Sequence, residues 1–595
     1  MCGLVAIFGY QKSSPLVNEA ELVRIREAMI HRGPDGAGTW VSEDQRVGLA
    51  HRRLAIIDTG PSGSQPMALN DDAGNARLQI VYNGEIYNFK QLRENLISEG
   101  CVFTTNSDTE VLLHLYDRYG MAMINQLRGM FAFVIWDKVK QGMFLARDPY
   151  GIKPLYYNDD GSMFRVASTV KALIAGGAIS TTPDAAGHIG FLTLGYVPEP
   201  HTMYQEIKCL PAGTSLWINK DGKPVKNKYF DFQAKMFDIE SMSPQASKEQ
   251  LREALIETAQ CHLVADVPVG MFLSAGLDSA SIVALVSEIA DEKLATITLH
   301  FEEFANTNFD EVPLATELSD RYNTRHQNRT IRAIDFVNEK NKLIAAMDQP
   351  TIDGVNTYFV AKEASTIGLK VALSGVGGDE LFSGYDSFHQ VPSLVRGIGW
   401  IPFIKTFGSV FRMLTGATLK KLTLPKYASL FEYSSDYGSA YLLRRGLFLP
   451  WELSEFLDRE FVQSGWRELN LKNDLNSTVA GITKPINRIS LLESTWYMRN
   501  QLLRDADWAG MAHSLEIRTP LVDAVLFGQL ANRGYLKSDM ALSPKVPLPN
   551  SVINRKKTGF LTPVSKWLLD DDGDLKIDHG IRSWARYVYK EFQNE

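Results

Sequence analysis

The second residue of the chain is a cysteine, and its position allows a specific kind of chemistry. The chain begins MCGLVAIFGY, so Cys2 follows the initiator methionine directly and precedes a glycine and an apolar run. A thiol at this position could be accidental. It could also be a nucleophile that uses its own terminal amine as the general base. This stretch alone leaves both interpretations open.

Two glycine-containing loops in the second half of the chain could hold phosphates. The first, MFLSAGLDSA, ends a strand at Ser274 and opens a helix near Asp278. The second, LSGVGGDELFSGY, repeats the pattern with Ser374-Gly375 and Asp379. Small residues there let backbone N–H groups and a helix N-terminus approach a phosphate. The two aspartates could share one Mg²⁺ accompanying ATP, although an ordinary strand-to-helix turn remains the alternative for either loop alone.

The elements around these loops predict a parallel sheet. From residue 266 onward strands alternate with helices, as in VPVGMFLSAGLDSASIVALVSEIA. This alternation predicts a doubly wound sheet with helices on both faces, and both loops then lie at its carboxyl edge, where ligands bind. From about residue 385 the chain is predicted to be mostly helical.

Residues 1–210 predict a different architecture of short strands, turns and a few helices. The stretch LQIVYNGEIYNFKQLRENLISEG predicts a strand, a turn at Asn83-Gly84, a second strand and a helix. Further along, SMSPQASKEQ has the composition of a linker. We therefore predict a first domain over 1–210, a linker over 211–248 and a second domain over 249–595.

Composition excludes several classes of protein. The chain has 595 residues, 45% of them hydrophobic and 22% charged, which is ordinary for a globular protein of several domains. Its net charge of −7 gives no support for nucleic-acid binding. The four scattered cysteines form no CxxC pair, which favours a reducing cytoplasm over a disulfide framework or zinc site. We expect neither a signal peptide nor a membrane span.

Taken together, these stretches resemble the glutamine-dependent asparagine synthetase family. The resemblance implies an α/β protein with an N-terminal nucleophile αββα glutaminase sandwich. A doubly wound parallel-sheet ATP-pyrophosphatase domain with a helical C-terminal part follows. It further implies removal of Met1, glutamine as ammonia donor, and ATP with Mg²⁺ to activate a carboxylate as an acyl-adenylate, with release of pyrophosphate and AMP. A homodimer is the expected assembly.

The resemblance assigns glutamine chemistry to the first domain. Cys2 would be the nucleophile, and Asn83 and Gly84 would form the oxyanion hole. A guanidinium would pair with the α-carboxylate of glutamine, and two carboxylates would hold its α-amino group. The predicted glutamine-binding residues are Arg53, Asn83, Gly84, Glu85 and Asp108.

The resemblance assigns ATP and the acceptor carboxylate to the second domain. Asp278 and Asp379 are the predicted Mg²⁺ ligands, and Lys557 in RKKTGF would stabilise developing charge. The predicted ATP-binding residues are Phe272, Ser274, Ala275, Gly276, Leu277, Asp278, Ser279, Leu299, Ser374 and Gly375. The predicted acceptor pocket consists of Val376, Asp507, Trp508, Glu516 and Arg518.

Three positions depart from the family pattern. Ala275 replaces a glycine in the phosphate loop, which is tolerable if its φ is negative. Trp508 replaces a common basic residue, and Val376 stands where aspartate-specific members usually carry glutamate. The pocket is therefore more apolar than usual. Free aspartate is the acceptor that the resemblance implies, and a sugar uronate or a peptide-bound acid is the alternative.

Two other functions remain as alternatives. A non-catalytic relative could keep the fold and sense glutamine or ATP, and retention of Met1 would favour it. A ring-closing synthetase of the β-lactam-forming type resembles the same fold but lacks the N-terminal cysteine, so Cys2 counts against it. Separately, residues 387–431 contain six basic residues and no acidic one. A helical subdomain with a basic face explains this stretch, with docking to an anionic acceptor or membrane surface as the alternative.

Overall fold

A computed structural model of the chain describes residues 2–71, 73–220, 222–242, 247–399, 401, 403–419, 424–556, 562–564, 566–567 and 580–594. Within these residues the chain forms two antiparallel sheets, one parallel sheet and many helices. Lys557, the predicted charge-stabilising lysine, and Met1 lie outside the described residues.

The first part of the chain forms two six-stranded sheets in which all strand pairs are antiparallel. The strands are β1 (Gly3–Gly9), β2 (Gly36–Val41), β3 (Val47–Arg53), β4 (Met67–Asn70), β5 (Ala76–Ile86), β6 (Gly129–Asp137), β7 (Gly142–Arg147), β8 (Tyr156–Asp159), β9 (Met163–Ala167), β10 (Lys208–Cys209), β11 (Thr214–Asn219) and β12 (Val225–Lys228). One sheet has the order β10-β8-β9-β1-β3-β2 and the other the order β12-β11-β7-β6-β5-β4.

Helices cover the outer faces of both sheets. They are α1 (Glu19–Glu27), α2 (Phe89–Ser98), α3 (Asp108–Tyr119) and α4 (Val170–Ala175). The next helix, α5 (Ala185–Leu194), packs instead on α18 (Arg459–Leu469) in the buried cluster of the second part. Because side chains alternate along a strand, one face of each sheet packs on the other sheet and the opposite face packs on helices. Leu4 and Val81 lie in the core between the sheets. Ile80 packs with α2 and α3, and Val5 packs with α1 and α4. The predicted αββα sandwich is confirmed.

Two local sequence predictions are wrong. The strands β11 and β12 fall within 211–248, the segment predicted as a linker, yet they pair with the second sheet through β7. The second sheet therefore includes residues up to Lys228, and α6 (Phe232–Ser241) follows it. The predicted turn at Asn83-Gly84 is instead part of β5, which runs unbroken beside β6 through both residues. Cross-strand pairing along nine residues of β6 outweighs the local turn preference of this dipeptide.

The second part of the chain forms a five-stranded parallel sheet of order β15-β14-β13-β16-β17. Its strands are β13 (Val269–Phe272), β14 (Ala295–Phe301), β15 (Arg325–Ile331), β16 (Val371–Leu373) and β17 (Glu516–Arg518). The chain order reverses between β13 and β16, so this sheet is doubly wound as predicted. The two glycine-containing loops leave the carboxyl ends of these two neighbouring strands, at the switch point where such sheets bind ligands.

Helices pack on both faces of the parallel sheet and continue beyond it. They are α7 (Lys248–His262), α8 (Leu277–Ile289), α9 (Val312–Arg321), α10 (Ala333–Ala346), α11 (Val355–Thr366), α12 (Gly378–Leu381), α13 (Ser387–Ile398), α14 (Ile404–Leu419), α15 (Leu430–Tyr433), α16 (Tyr437–Arg445), α17 (Pro450–Leu453), α18 (Arg459–Leu469), α19 (Leu471–Thr478), α20 (Pro485–Leu492), a π-helix (Glu493–Leu503), α21 (Arg504–Met511), α22 (Ala524–Leu530), α23 (Lys537–Ala541), α24 (Asn550–Ile553) and α25 (Ile581–Asn594). One buried cluster joins α7, α8 and α9 to the sheet, and another joins α10, α11 and α21.

The acid-free stretch 387–431 is helical, as predicted. It contains α13 and α14 and the short helix α15 begins at its end. Arg412 pairs with Glu432 at 2.7 Å, just beyond the stretch. Lys426 is buried and donates hydrogen bonds to two backbone carbonyls. These two cations therefore have structural partners within the protein.

Candidate active sites

Cys2 is buried immediately before β1, against β5 of the second sheet. Its backbone nitrogen, which would be the α-amine of a chain without Met1, donates a hydrogen bond to Asn83 Oδ1 at 2.8 Å. Arg32 Nε donates to the Cys2 carbonyl oxygen at 3.2 Å. Burial raises the pKa of the Cys2 thiol, although the nearby Arg53 acts in the opposite direction. The thiol therefore needs a base to become a nucleophile near neutral pH.

Asn83 presents a hydrogen-bond donor beside Cys2, and Gly84 follows it on β5. Asn83 Nδ2 is buried and has no hydrogen-bond partner among the described residues. Such an orphaned donor costs stability unless a ligand uses it, so it is suited to receive a developing oxyanion. Gly84 has φ +155°, and a Cβ there would lie 2.1 Å from the Met130 carbonyl oxygen on β6. Only glycine fits this approach of the two strands.

Replacing Gly84 with alanine is expected to destabilise the protein by at least about 1–3 kcal/mol and to lower glutamine hydrolysis strongly. The added Cβ would collide with the β6 backbone and displace Asn83. Thermal unfolding and glutamate release measure the two effects. Gly100→Ala is the matched control, because Gly100 has φ +94° with nothing within 4 Å of an added Cβ. Equal losses of stability in both variants would show that the effect comes from the positive φ of the substituted glycine rather than from the contact between β5 and β6.

The remaining residues predicted to bind glutamine lie around the same strand, β5. Asp108 begins α3, and its Oδ2 accepts hydrogen bonds from Tyr82 Oη at 2.9 Å and from the Ile86 backbone at 3.1 Å. Burial raises the pKa of Asp108 to about 6. Glu85 is buried, and its Oε2 has no partner among the described residues. The structure therefore brings both carboxylates to the end of β5 that holds Asn83.

Arg53 ends β3 next to the start of β1, where Gly3 pairs with Arg52. Its guanidinium donates to the carbonyl oxygens of Gly60 at 2.6 Å and Ile57 at 3.3 Å. The loop that contains Ile57 and Gly60 thus fixes the orientation of the Arg53 guanidinium. All the residues predicted from the sequence to bind glutamine lie around Cys2 in the first domain.

A second candidate site is a cavity of about 470 Å³ at the carboxyl edge of the parallel sheet. Both glycine-containing loops form its walls. The ten predicted ATP-binding residues all lie on these walls, namely Phe272, Ser274, Ala275, Gly276, Leu277, Asp278, Ser279, Leu299, Ser374 and Gly375. Ala275 is not among the described residues with positive φ, so its methyl group causes no backbone strain.

Asp278 and Asp379 converge on one cation in this cavity. Lys537 Nζ lies 2.5 Å from Asp278 Oδ2 and 2.6 Å from Asp379 Oδ1. The loops pack so tightly that a Cβ at Gly378 would lie 2.4 Å from the Asp278 carboxyl carbon. The two carboxylates therefore point at a common place, and oxygen ligands of this kind suit Mg²⁺. Lys537 was missed by the sequence analysis, because a single lysine in an unremarkable segment carries no local signal.

The predicted acceptor residues are divided among three places: the cavity, the position of Trp508 next to the lining residue Asp505, and the boundary of the two domains. Val376 lines the cavity, whereas Asp507, Trp508, Glu516 and Arg518 are not among its described lining residues. The alternation of β17 explains the last two, because Ile517 lines the cavity and its two neighbours point to the opposite face. Helix α21 behaves similarly, since Asp505 and Ala506 line the cavity in place of the two predicted residues.

The residues on the far side of these elements contact the first domain. Arg32 donates to both Asp507 oxygens, at 2.7 and 3.1 Å, while it also holds the Cys2 carbonyl. Arg518 is fully buried, bonds Glu516 Oε1 at 2.6 Å and lies 3.6 Å from Glu85 Oε1. Burial favours the neutral acid, but neighbouring positive charges, Arg518 among them, lower the pKa of Glu516 to about 2. The strand β17 therefore separates the two candidate sites and contacts both.

The wall of the cavity around α21 contains further residues that the sequence analysis missed. Asp353 and Asp505 lie side by side there, and Tyr385 and Tyr497 are neighbours with ring centroids 5.9 Å apart. Asp505 belongs to the same signature as Asp507, so choosing between them required the helical phase.

Among the helices that the described residues form, none is long and apolar enough to span a membrane.

Comparison with known proteins finds a matching family for each half of the chain. The glutamine amidotransferase domain family matches residues 1–230, and the asparagine synthase family matches residues 250–576. The chain is 32% identical to "Asparagine synthetase (glutamine-hydrolyzing) 1" of Bacillus subtilis, over 100% of this chain and 91% of that protein. It is 32% identical to a putative asparagine synthetase of Mycobacterium tuberculosis, over 96% of this chain and 88% of that protein.

A fungal relative carries a different name. "Amidase chry2" of Gibberella zeae is 30% identical over 65% of this chain and 60% of that protein. The two family matches, in the order of the two candidate sites, and the full-length relatives agree. The chain therefore belongs to the glutamine-hydrolysing asparagine synthetase family, a family of glutamine-dependent, ATP-using ligases.

Proposed function

We propose that the chain hydrolyses glutamine at Cys2 and uses the ammonia to amidate an ATP-activated carboxylate in the cavity of the parallel sheet. The observation that carries this proposal is the arrangement of the two sites on opposite sides of β17. Ile517 faces the cavity, and Glu516 and Arg518 face the glutamine site. Ammonia formed at Cys2 thus has one strand to pass before it reaches an activated acyl group, and the buried surroundings limit its loss to water.

In the first step the Cys2 thiolate attacks the side-chain amide carbon of glutamine. The α-amine of Cys2 accepts the thiol proton and returns it to the leaving ammonia. Asn83 Nδ2 and the Gly84 N–H stabilise the oxyanion of the tetrahedral intermediate. The products are ammonia and a γ-glutamyl thioester, which water then hydrolyses to glutamate. Arg53 binds the α-carboxylate of glutamine, and Glu85 with Asp108 binds its α-amino group.

In the second step an oxygen of the acceptor carboxylate attacks the α-phosphorus of ATP, and pyrophosphate leaves. Ammonia then attacks the acyl carbon, a carbon–nitrogen bond forms, and AMP departs as the nitrogen loses a proton. The backbone of the SAGLDS loop and the start of α8 face the phosphates. Asp278 and Asp379 would hold Mg²⁺, which when bound neutralises charge on the pyrophosphate. Lys537 lies between the same carboxylates and supplies a protein cation at that place.

The first experiment is glutamine- and ATP-dependent pyrophosphate release by purified protein with a verified N-terminus, with and without L-aspartate. Asparagine formed in step with pyrophosphate would support free aspartate as the acceptor and show that Val376 is tolerated. Glutamate formation without asparagine would direct the search to other carboxylates. A chain that begins at Cys2 and hydrolyses no glutamine would overturn the proposal.

Glutamine binding is expected to weaken about tenfold for each pH unit below about 6. The pKa of Asp108 is raised to about 6, so its carboxylate is charged above that pH and neutral below it. Only the charged form can pair with the α-ammonium group of glutamine. Calorimetric titration of glutamine into the Cys2→Ala variant measures binding without turnover. Asp108→Asn should bind weakly at pH 7.5 and show a flat profile, and an unchanged pH dependence in that variant would remove Asp108 from this role.

A further inference from the structure

Helix α14 presents a row of large apolar side chains to solvent. Five side chains on the helix or directly before it are more than half exposed, namely Phe403, Phe407, Val410, Met413 and Leu414. Phe403, Met413 and Leu414 reach 85%, 81% and 76%. Phe407, Val410 and Leu414 are separated by three and four residues, so they lie on one side of the helix. These five residues form the exposed face of α14, and a continuous apolar face of this kind indicates a contact surface.

A second apolar face of α14 holds the helix on the rest of the protein. Ile404 is buried, and the ring of Phe411 packs edge-on against that of Phe431 with centroids 5.0 Å apart. A Cβ added at Gly408 would lie 2.5 Å from the Glu432 backbone nitrogen, so α14 and α15 are in close contact there. The internal packing of α14 therefore uses a different side of the helix, and the exposed face is left to contact something else.

The chain around the exposed face is basic. Residues 387–431 contain no acidic residue, in a protein whose net charge is −7. Their basic residues are Arg396, Lys405, Arg412, Lys420, Lys421 and Lys426. Arg396 on α13 is exposed, and Lys405 belongs to α14. Lys420 and Lys421 follow α14 directly in the sequence and lie outside the described residues.

The two acidic residues that border this stretch are already paired with arginines. Asp386 lies 3.8 Å from Arg444, and Glu432 lies 2.7 Å from Arg412. Neither bordering carboxylate therefore brings an unbalanced negative charge to the exposed face. The charge of this part of the surface is positive, opposite in sign to the net charge of the whole chain.

We propose that α14 binds the surface of an anionic lipid bilayer, with its exposed face inserted at the boundary between headgroups and acyl chains. Helices that lie at this boundary combine an apolar face with a basic polar face, and apolar area and positive charge both strengthen their binding. Lys405 and Arg412 are one heptad apart and by helical phase fall on the side opposite Phe407 and Leu414. Basic residues on and beside the helix then lie at the level of the lipid phosphates.

A second copy of the chain suits the exposed face less well. Two-fold packing of α14 on α14 would bring the basic stretch of one copy against that of the other, and like charges repel. Anionic lipids attract the same stretch, because each Lys or Arg near the surface contributes about fivefold to affinity. The sign of the charge therefore favours the lipid surface.

Co-sedimentation of the full chain with lipid vesicles tests this proposal. One set of vesicles is phosphatidylcholine alone, and the other contains phosphatidylglycerol as one third of its lipid. We expect the affinity for the anionic vesicles to exceed that for the neutral ones by at least about tenfold and to fall as salt is added. No substrate is present, so this inference is independent of the proposed function.

Substitution of the exposed face tests its apolar part. Met413→Gln combined with Leu414→Gln should weaken binding to anionic vesicles by about 10- to 100-fold, because two apolar side chains no longer leave water. Val102→Gln combined with Val139→Gln is the matched control, since these side chains are 78% and 73% exposed in the first domain. Phe403→Asn is a further test on the same face. Phe403 has φ +58°, which asparagine adopts more readily, so this change removes the ring without backbone strain.

Substitution of basic residues tests the charge. Arg396→Gln combined with Lys405→Gln should weaken binding to anionic vesicles by about 5- to 25-fold and leave binding to neutral vesicles unchanged. Lys228→Gln combined with Arg332→Gln is the control, because these two exposed cations lie elsewhere on the surface and pair with Asp231 and Asp335. Thermal unfolding and glutamate release from glutamine show that each variant is folded.

Four results would overturn the proposal. They are no sedimentation with anionic vesicles, equal binding to the two kinds of vesicle, wild-type binding by the variant with Met413→Gln and Leu414→Gln, and losses of the same size in the control variants. Light scattering identifies the other occupant. A dimer that dissociates on Met413→Gln with Leu414→Gln, from a protein that binds no vesicles, would assign the exposed face to a second copy of the chain.

Discussion

Cys2→Ala is expected to lower glutamine-dependent amidation by about 10⁴-fold or more, because the nucleophile and its covalent intermediate are lost. Amidation with ammonium chloride should stay within about threefold of wild type, because none of the described residues that line the cavity of the parallel sheet belongs to the glutamine site. Pyrophosphate release with each nitrogen source measures both activities. Loss of both would mean that the substitution disturbs the contact through which Arg32 joins Cys2 to Asp507.

Two further variants define what Cys2→Ala reports. Asn83→Ala should lower glutamine hydrolysis by about 10²–10³-fold, since one oxyanion donor is worth that much. Cys101→Ala removes a free thiol just after α2, where the charged groups that act on it are Arg118, Asp117 and Glu99, and should leave both activities unchanged. If Asn83→Ala hydrolysed glutamine at the wild-type rate, its unpartnered Nδ2 would have no role in the oxyanion hole.

The sequence was sufficient to predict the architecture, because each half of the chain has a clear strand and helix pattern. Alternation of strands and helices predicts the parallel sheet, and the two loops then fall at neighbouring strand ends by topology alone. The predicted glutamine-binding residues lie together in part because β5 carries three of them in succession. The turn predicted at Asn83-Gly84 failed since tertiary pairing with β6 decides the conformation of that dipeptide.

Residues of the acceptor region were predictable only in part. The signature 502–523 indicates which segment approaches the cavity, but not which side chains face it. On β17 a shift of one residue exchanges Ile517 for Glu516 or Arg518, and on α21 the choice between Asp505 and Asp507 depends on helical phase. Lys537 and Asp353 come from segments without a motif, and only the fold brings them to the cavity.

Asp379→Asn is expected to lower ATP-dependent pyrophosphate release by about 10²–10³-fold while glutamine hydrolysis stays within about twofold. Asp379 shares Lys537 with Asp278 and lies at the place proposed for Mg²⁺. Asparagine keeps the shape and removes the charge, so the requirement for Mg²⁺ should rise together with the loss of rate. Pyrophosphate release measured over a range of Mg²⁺ concentrations tests both effects.

Asp278→Asn should behave in the same way, because the two carboxylates point at one place. Glu363→Gln, which removes a carboxylate paired with Arg329, serves as the control away from the cavity. Lys537→Ala separates the protein cation from the metal. It leaves two facing carboxylates without the lysine between them. We therefore expect Mg²⁺ to bind more tightly, with half-saturation at a lower Mg²⁺ concentration, while the reaction becomes slower. If Asp379→Asn released pyrophosphate at the wild-type rate and Mg²⁺ requirement, the convergence of the two aspartates would be structural, with Lys537 as their permanent counter-ion.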